Sequence, residues 1–157
     1  MIKEGFFPTI IYAEDLKLNT EDLAQQIIKW SQEGKGVKKT NVGGWHSETD
    51  MHKKPEYKSL VDELFKMVHQ VFNEEWLDKK PVLGNMWANI NYTGGYNRPH
   101  VHPNALFTGV YYVKTSPSCG KLICQDPRPG IQTCMPTRIK GQPPPHLWRE
   151  VHLEPQE

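Results

Sequence analysis

Hydrophobic side chains in the first part of the chain recur at the three- and four-residue spacing of a helix face. The first stripe consists of Leu23, Ala24, Ile27 and Ile28, with Trp30 beside it. Asn19 and Thr20 before the stripe are N-cap residue types, and Gly34 and Gly36 after it are residues that end helices. The pattern predicts an amphipathic helix between these two signals.

A second stripe, within residues 55–76, is longer and more regular. Pro55 stands near its start, where a proline at the first helical position is favoured. Its apolar members are Tyr57, Leu60, Val61, Leu64, Met67 or Val68, Val71, Phe72 and Trp76. We expect this helix to pack its apolar face against a sheet.

Strand signals lie on both sides of the helices. Phe6–Ala13 is apolar and β-branched and predicts a first strand. The polar, glycine-containing segment Thr40–Ser47 is interpreted as a loop, and residues 126–145, with six prolines, as a long loop or edge excursion. After Pro81 the composition predicts strands near residues 84–93, 105–114, 120–125 and 147–153.

These elements predict an α+β, mainly β, fold of one domain spanning residues 1–157. One strand and two helices in residues 1–80 would back an antiparallel sheet in residues 81–157. We expect that sheet to curl into a jelly-roll or cupin-like barrel.

Charge and composition exclude several classes of partner. The chain has 19 basic and 18 acidic residues and a formal charge of +1, so it offers no basic field for nucleic acid or an anionic membrane. No apolar run approaches the roughly 20 residues of a membrane span, and residues 1–5 lack the apolar stretch of a signal peptide. We expect a soluble, cytoplasmic protein whose Cys119, Cys124 and Cys134 are reduced thiols.

The segment Pro99-His100-Val101-His102-Pro103 is the strongest chemical signal in the chain. Two histidines two residues apart on an extended backbone point the same way, and two imidazoles on one face can bind a divalent metal. The alternative is a surface loop with two solvated histidines. Met86–Tyr92 and a Gly94-Gly95 turn precede the segment.

Two known metal-binding designs can be compared with this segment. Gly94 followed by His100 and His102 fits the opening of the cupin pattern, but the glutamate of that pattern is absent, since positions 106 and 107 are Leu and Phe. The second design is the facial triad of non-haem iron oxygenases, in which His102 would take the place of the usual aspartate.

Several segments together resemble a known superfamily. They are Phe6–Tyr12, Asn41–Ser47, Met86–Asn91, Gly95–Pro103, Thr108–Val113, Gly120–Leu122 and Asp126–Arg128. In order and spacing the chain resembles the small, phage- and marine-bacterium-associated branch of the 2-oxoglutarate/Fe(II) oxygenases, which is distantly similar to prolyl 4-hydroxylases. The resemblance implies a double-stranded β-helix, Fe(II) and 2-oxoglutarate as cofactors, His100 and His102 as metal ligands, and hydroxylation of an unknown substrate.

The resemblance also implies that residues near the histidines bind 2-oxoglutarate. Tyr92 and Asn91 are the first candidates, because prolyl-hydroxylase-like enzymes use a tyrosine near this place, and Tyr112 is a third. Alternation puts Asn89 and Asn91 on one face of their strand and Tyr92 on the other. The asparagine face could be either a polar cavity wall or an exposed surface.

The chain departs from the superfamily pattern at its end. The third ligand, a distal histidine, and the Arg or Lys that grips 2-oxoglutarate would follow a segment resembling Val151–Glu157. We therefore expect a C-terminal truncation with the last strands missing, impaired activity, and homo-oligomerisation through open sheet edges. His46, His146 and His152 are candidates for a substitute third ligand.

Two other functions stay open at this point. One is a cupin-like metal-binding or isomerase domain, whose metal binding would be unaffected by 2-oxoglutarate. The other is a non-enzymatic phage structural or assembly barrel, which would bind no metal. The sequence does not identify the substrate: a peptide, a free amino acid, a nucleobase and a small metabolite are all compatible.

Overall fold

The computed structural model describes residues 1–2, 4–128, 140 and 150–155. The chain divides into two units, Met1–Gly109 and Val110–Glu157. Its elements in order are α1 (Thr20–Glu33), β1 (Asn41–His46), two short 3-10 turns (Met51–Lys53 and Pro55–Tyr57), α2 (Lys58–Glu74), β2 (Asn89–Asn97), β3 (Leu122–Gln125) and β4 (Glu150–Leu153). None of the described helices is long and apolar enough to cross a membrane.

Helix α1 forms where the sequence predicts it. The Asn19 side chain caps its first turn by accepting a hydrogen bond from the Asp22 backbone N–H at 3.2 Å, and the helix ends at Gly34. Leu23, Ala24 and Ile27 are buried. Local signals alone, a cap and an apolar stripe, therefore account for this element.

Helix α2 begins three residues later than the first position of the predicted helix. Pro55 starts a 3-10 turn, which places Tyr57 in the core at 1% exposure before the α-helix begins at Lys58. The core here is aromatic, because the Trp30 ring lies 5.8 Å from Tyr57 and 5.7 Å from Trp45 between centroids. The Trp45 indole N–H also donates to the Gly34 carbonyl at 3.1 Å, which ties β1 to the end of α1.

The prediction of a loop at Thr40–Ser47 was wrong, since Asn41–His46 forms β1 and pairs antiparallel with β2. The register shifts between Val42 and Gly44, where Gly43 has φ +66°. A glycine in this conformation is typical of a β-bulge. Gly43, which indicates a loop in the sequence, therefore bends a strand in the structure. The strand expected near 84–93 is observed at 89–97.

Two expected strands, Phe6–Ala13 and 105–114, are absent from the described residues. Ile10 and Ile11 are 57% and 50% exposed and have no strand to pair with, although the Tyr12 hydroxyl donates to the Glu75 carboxylate at 2.5 Å. In the second segment the Phe107 ring packs 5.8 Å from that of Phe72. β-propensity without a partner strand does not produce a strand.

The described part of the second unit contains one small antiparallel sheet. Strand β3 pairs with β4 in a register that joins Leu122 to Leu153 and Cys124 to Val151. An ion pair between Lys121 and Glu154 closes its end. Strands were expected close to these positions, near 120–125 and 147–153. The proline-rich loop lies mostly outside the described residues, as do Cys134 and His146.

The observed fold is a mixture of helices and small antiparallel sheets. Its two sheets, β1–β2 and β3–β4, have two strands each, and no closed barrel forms within the described ranges. Each of these strands has one neighbour among the described residues. A strand edge without a partner can pair with another chain. Self-association through these edges, the jelly roll and the one-domain organisation stay predictions.

Candidate metal centre

His100 and His102 lie together just after the end of β2. Their ring centroids are 4.9 Å apart, and the ring planes meet at 72°. His100 is exposed and His102 is half-buried. The first unit therefore presents two imidazoles side by side at its surface.

The separation of the two rings matches that of two imidazoles on one ion. With a metal–nitrogen bond of about 2.1 Å, each ring centroid lies about 3.3 Å from the metal. At ligand–metal–ligand angles of about 90–110°, the centroids are then about 4.7–5.4 Å apart. The observed 4.9 Å falls within this range, so the pair can supply two neighbouring ligands.

A backbone contact fixes the tautomer of His100. Its Nδ1 lies 2.7 Å from the Arg98 carbonyl oxygen, which can only accept a hydrogen bond. Nδ1 therefore carries a hydrogen, and in the neutral imidazole Nε2 holds the lone pair that a metal would need. A hydrogen bond of this kind on the outer nitrogen is what orients metal-binding imidazoles in proteins.

The backbone around the pair is held on both sides. The Arg98 N–H donates to the Thr40 carbonyl at 2.9 Å, which extends the pairing of β1 and β2 by one residue toward the histidines. After the pair, Asn104 has φ +65° and the Ala105 N–H points to the His102 carbonyl at 3.4 Å. Asparagine tolerates this left-handed conformation better than most residues, which suits it to the turn.

Trp87 is a site residue that the sequence reasoning missed. Its ring lies 5.6 Å from that of His102 and is stacked on His46 at 5.4 Å, within 9° of parallel. Strand alternation could have found it, because residues 87, 89 and 91 point to the same face of the strand that precedes the histidines. Recognising Trp87 as a site residue also requires the pairing of β2 with β1, and the sequence predicts a loop in place of β1.

Two of the candidate 2-oxoglutarate residues lie on opposite faces of β2, and the third lies in the second unit. Asn89 pairs with His46 and Asn91 pairs with Gly44, so both asparagines share the strand face of His46, and both are solvent-exposed. Tyr92 lies on the opposite face and is 61% exposed. Tyr112 belongs to the second unit, where burial, with smaller contributions from nearby cysteines, raises its pKa.

The described residues do not bring a third ligand to the pair. They contain no group of three or more His, Cys, Asp or Glu side chains placed to hold one ion. The ring of His46 is stacked on Trp87, and the Nε2 of His152, in the second unit, lies 2.8 Å from a Glu150 carboxylate oxygen. Among the described residues the candidate ligands are thus the two imidazoles of His100 and His102.

Comparison with known families gives one match. Residues 85–157 match the profile of a family described as "Putative 2OG-Fe(II) oxygenase". No curated protein and no solved structure matches the chain. The matched region contains both histidines and all three candidate cosubstrate residues, and it supports the 2-oxoglutarate/Fe(II) oxygenase superfamily, which implies Fe(II) and 2-oxoglutarate as cofactors.

Proposed function

We propose that this chain is a 2-oxoglutarate- and Fe(II)-dependent dioxygenase that hydroxylates a C–H bond of its substrate, and that His100 and His102 are its iron ligands. The observation that carries the proposal is the contact between these two imidazoles, whose centroids are 4.9 Å apart, inside the region that matches an oxygenase family. We also place the chain in the small phage-associated branch that is distantly similar to prolyl 4-hydroxylases.

The two histidines have different supports in this proposal. His100 presents Nε2 because its Nδ1–H is engaged by the Arg98 carbonyl. His102 is oriented through its ring contacts with His100 and Trp87. When bound, Fe(II) and 2-oxoglutarate supply an oxidant from O₂, with release of succinate and CO₂.

Asn91 is the best-placed candidate for a 2-oxoglutarate carboxylate. It shares a strand face with His46, whose ring is joined through Trp87 to His102. Its carboxamide NH₂ can donate to a carboxylate oxygen. Tyr92 projects from the opposite face of β2 and is the weaker candidate of the two.

Metal titration of matched histidine variants tests the proposal. His100→Ala and His102→Ala should each weaken anaerobic Fe(II) binding by at least about tenfold, because each removes one of the two described ligands. His69→Ala, an exposed histidine on α2, should bind Fe(II) as the unsubstituted protein does. Equal Fe(II) affinity in all four proteins would contradict the assignment of the ligands.

A further inference from the structure

Four aromatic rings form a continuous series that runs from the interior of the first unit to the candidate ligands. His46 is 4% exposed and stacks on Trp87, Trp87 packs on His102, and His102 contacts His100. The buried end is anchored, since the His46 Nδ1–H donates to the Ser47 carbonyl at 2.6 Å. Trp87 is the ring that joins this anchor to the candidate ligands.

The backbone of Trp87 is fixed on both sides. The Ala88 carbonyl accepts from the Ser47 N–H at 3.0 Å, and the Ala88 N–H donates to the Ser47 hydroxyl, also at 3.0 Å. The Met86 N–H donates to the Thr49 carbonyl at 3.1 Å. Ser47 is fully buried. The indole is therefore attached to a rigid part of the unit.

His102, by contrast, lies in a segment outside any helix or strand. Within the described ranges its ring contacts are with Trp87 and His100, and its imidazole makes no hydrogen bond to another described residue. An imidazole without a hydrogen-bonded outer nitrogen needs another restraint to hold its direction. The neighbouring indole, whose ring plane is tilted 32° from that of the imidazole, is such a restraint.

We propose that Trp87 is the positioning residue of the histidine pair: its indole holds the His102 imidazole beside that of His100, so that both rings can bind one divalent ion. This inference rests on the proposed function, because it assumes that the pair binds metal. Replacement of Trp87 should therefore lower the metal affinity of a protein that still folds, which replacement of a purely structural side chain would not do.

Co(II) binding to the full 157-residue chain distinguishes a positioning role of Trp87 from a purely structural role. Trp87→Leu removes the flat ring but keeps an apolar side chain, and it should weaken Co(II) binding about tenfold. Trp87→Phe keeps a flat ring and should restore most of the affinity. Trp76→Leu, at a tryptophan that is 90% exposed at the end of α2, is the matched control and should bind as the unsubstituted chain does.

Thermal unfolding measured on the same samples distinguishes positioning from folding. A folded Trp87→Leu protein with undiminished Co(II) affinity would overturn the inference. Should that variant not fold, tryptophan fluorescence decides: bound Co(II) should quench Trp87 emission, and Trp87→Phe should lose that quenching. Unchanged quenching in Trp87→Phe would overturn the inference, whereas Co(II) binding of undiminished affinity in His100→Ala would overturn the proposed function itself.

Discussion

Asn91 and Gly44 lie directly opposite each other in the β1–β2 ladder, and the asparagine Oδ1 is 2.9 Å from where a Cβ on Gly44 would stand. The same Cβ would lie 2.6 Å from the Ile90 carbonyl oxygen. The absence of a side chain at Gly44 thus allows β1 to approach β2 closely at Ile90 and Asn91.

Gly44→Ala should therefore destabilise the first unit. The added methyl group meets backbone atoms that cannot move without breaking the ladder, and overpacking of this kind costs about 1–3 kcal/mol. Chemical denaturation measures the loss. Gly84→Ala, at a glycine with open space around its would-be Cβ, is the control and should leave the free energy of unfolding nearly unchanged. Equal stability of the two variants would contradict the tight approach of β1 and β2.

Trp76 occupies a backbone conformation that favours glycine. It has φ +56° at the end of α2, where its N–H donates to the Asn73 carbonyl at 3.2 Å and the Leu77 N–H donates to the Phe72 carbonyl at 2.9 Å. These two bonds make a Schellman motif, whose left-handed residue is usually glycine. The Trp76 side chain is 90% exposed, so little packing offsets the backbone strain.

Trp76→Gly should raise the free energy of unfolding by about 0.5–1 kcal/mol, since relief of the left-handed strain exceeds the added chain entropy of glycine. Thermal or urea unfolding measures the gain. Trp76→Ala removes the same exposed ring but keeps the Cβ, and it should show a smaller gain or none. A glycine variant no more stable than the alanine variant would contradict the assigned backbone conformation.

Tyr57 should make the protein sensitive to alkali. Burial, with the nearby Glu56 and Glu33 carboxylates, raises its pKa from 10.0 to about 12. Because the raised pKa belongs to the folded state, its contribution to stability is fully present below pH 10.0 and is lost as the pH rises toward about 12. The loss amounts to at most about 2–3 kcal/mol.

Urea unfolding at a series of alkaline pH values tests this prediction. Tyr57→Phe should flatten the decline of stability above pH 10.0, because phenylalanine has no proton to lose. Tyr96→Phe, at a tyrosine that is 53% exposed, should leave the decline unchanged. Parallel pH profiles for Tyr57→Phe and the unsubstituted protein would show that Tyr57 does not ionise with unfolding.

Local signals explain what the sequence could predict. Helices α1 and α2 follow from apolar spacing and, for α1, the Asn19 cap, which depend on neighbours three and four residues away. Strand β1 was missed because Gly43 and Gly44 are typical of loops, whereas here they permit a bulge and a close pairing with a strand about 50 residues away. Non-local pairing of that kind leaves no local pattern.

One part of the candidate site could likewise be predicted from the sequence, and another part could not. The proximity of His100 and His102 follows from their spacing in sequence, so it could be predicted without a fold. The contact of Trp87 with both His46 and His102 depends on the register of β1 against β2. The same register distinguishes Asn91 from Tyr92, which the sequence treats as equal candidates.

Anaerobic absorption spectroscopy tests the central claim most directly. Fe(II) is added to the protein with and without 2-oxoglutarate, and a metal-to-ligand charge-transfer band is sought. The account predicts a band that requires Fe(II) and 2-oxoglutarate together and that disappears in His100→Ala and His102→Ala, while His69→Ala keeps it. Fe(II) binding without any 2-oxoglutarate-dependent band would contradict the oxygenase assignment and favour a cupin-like metal site.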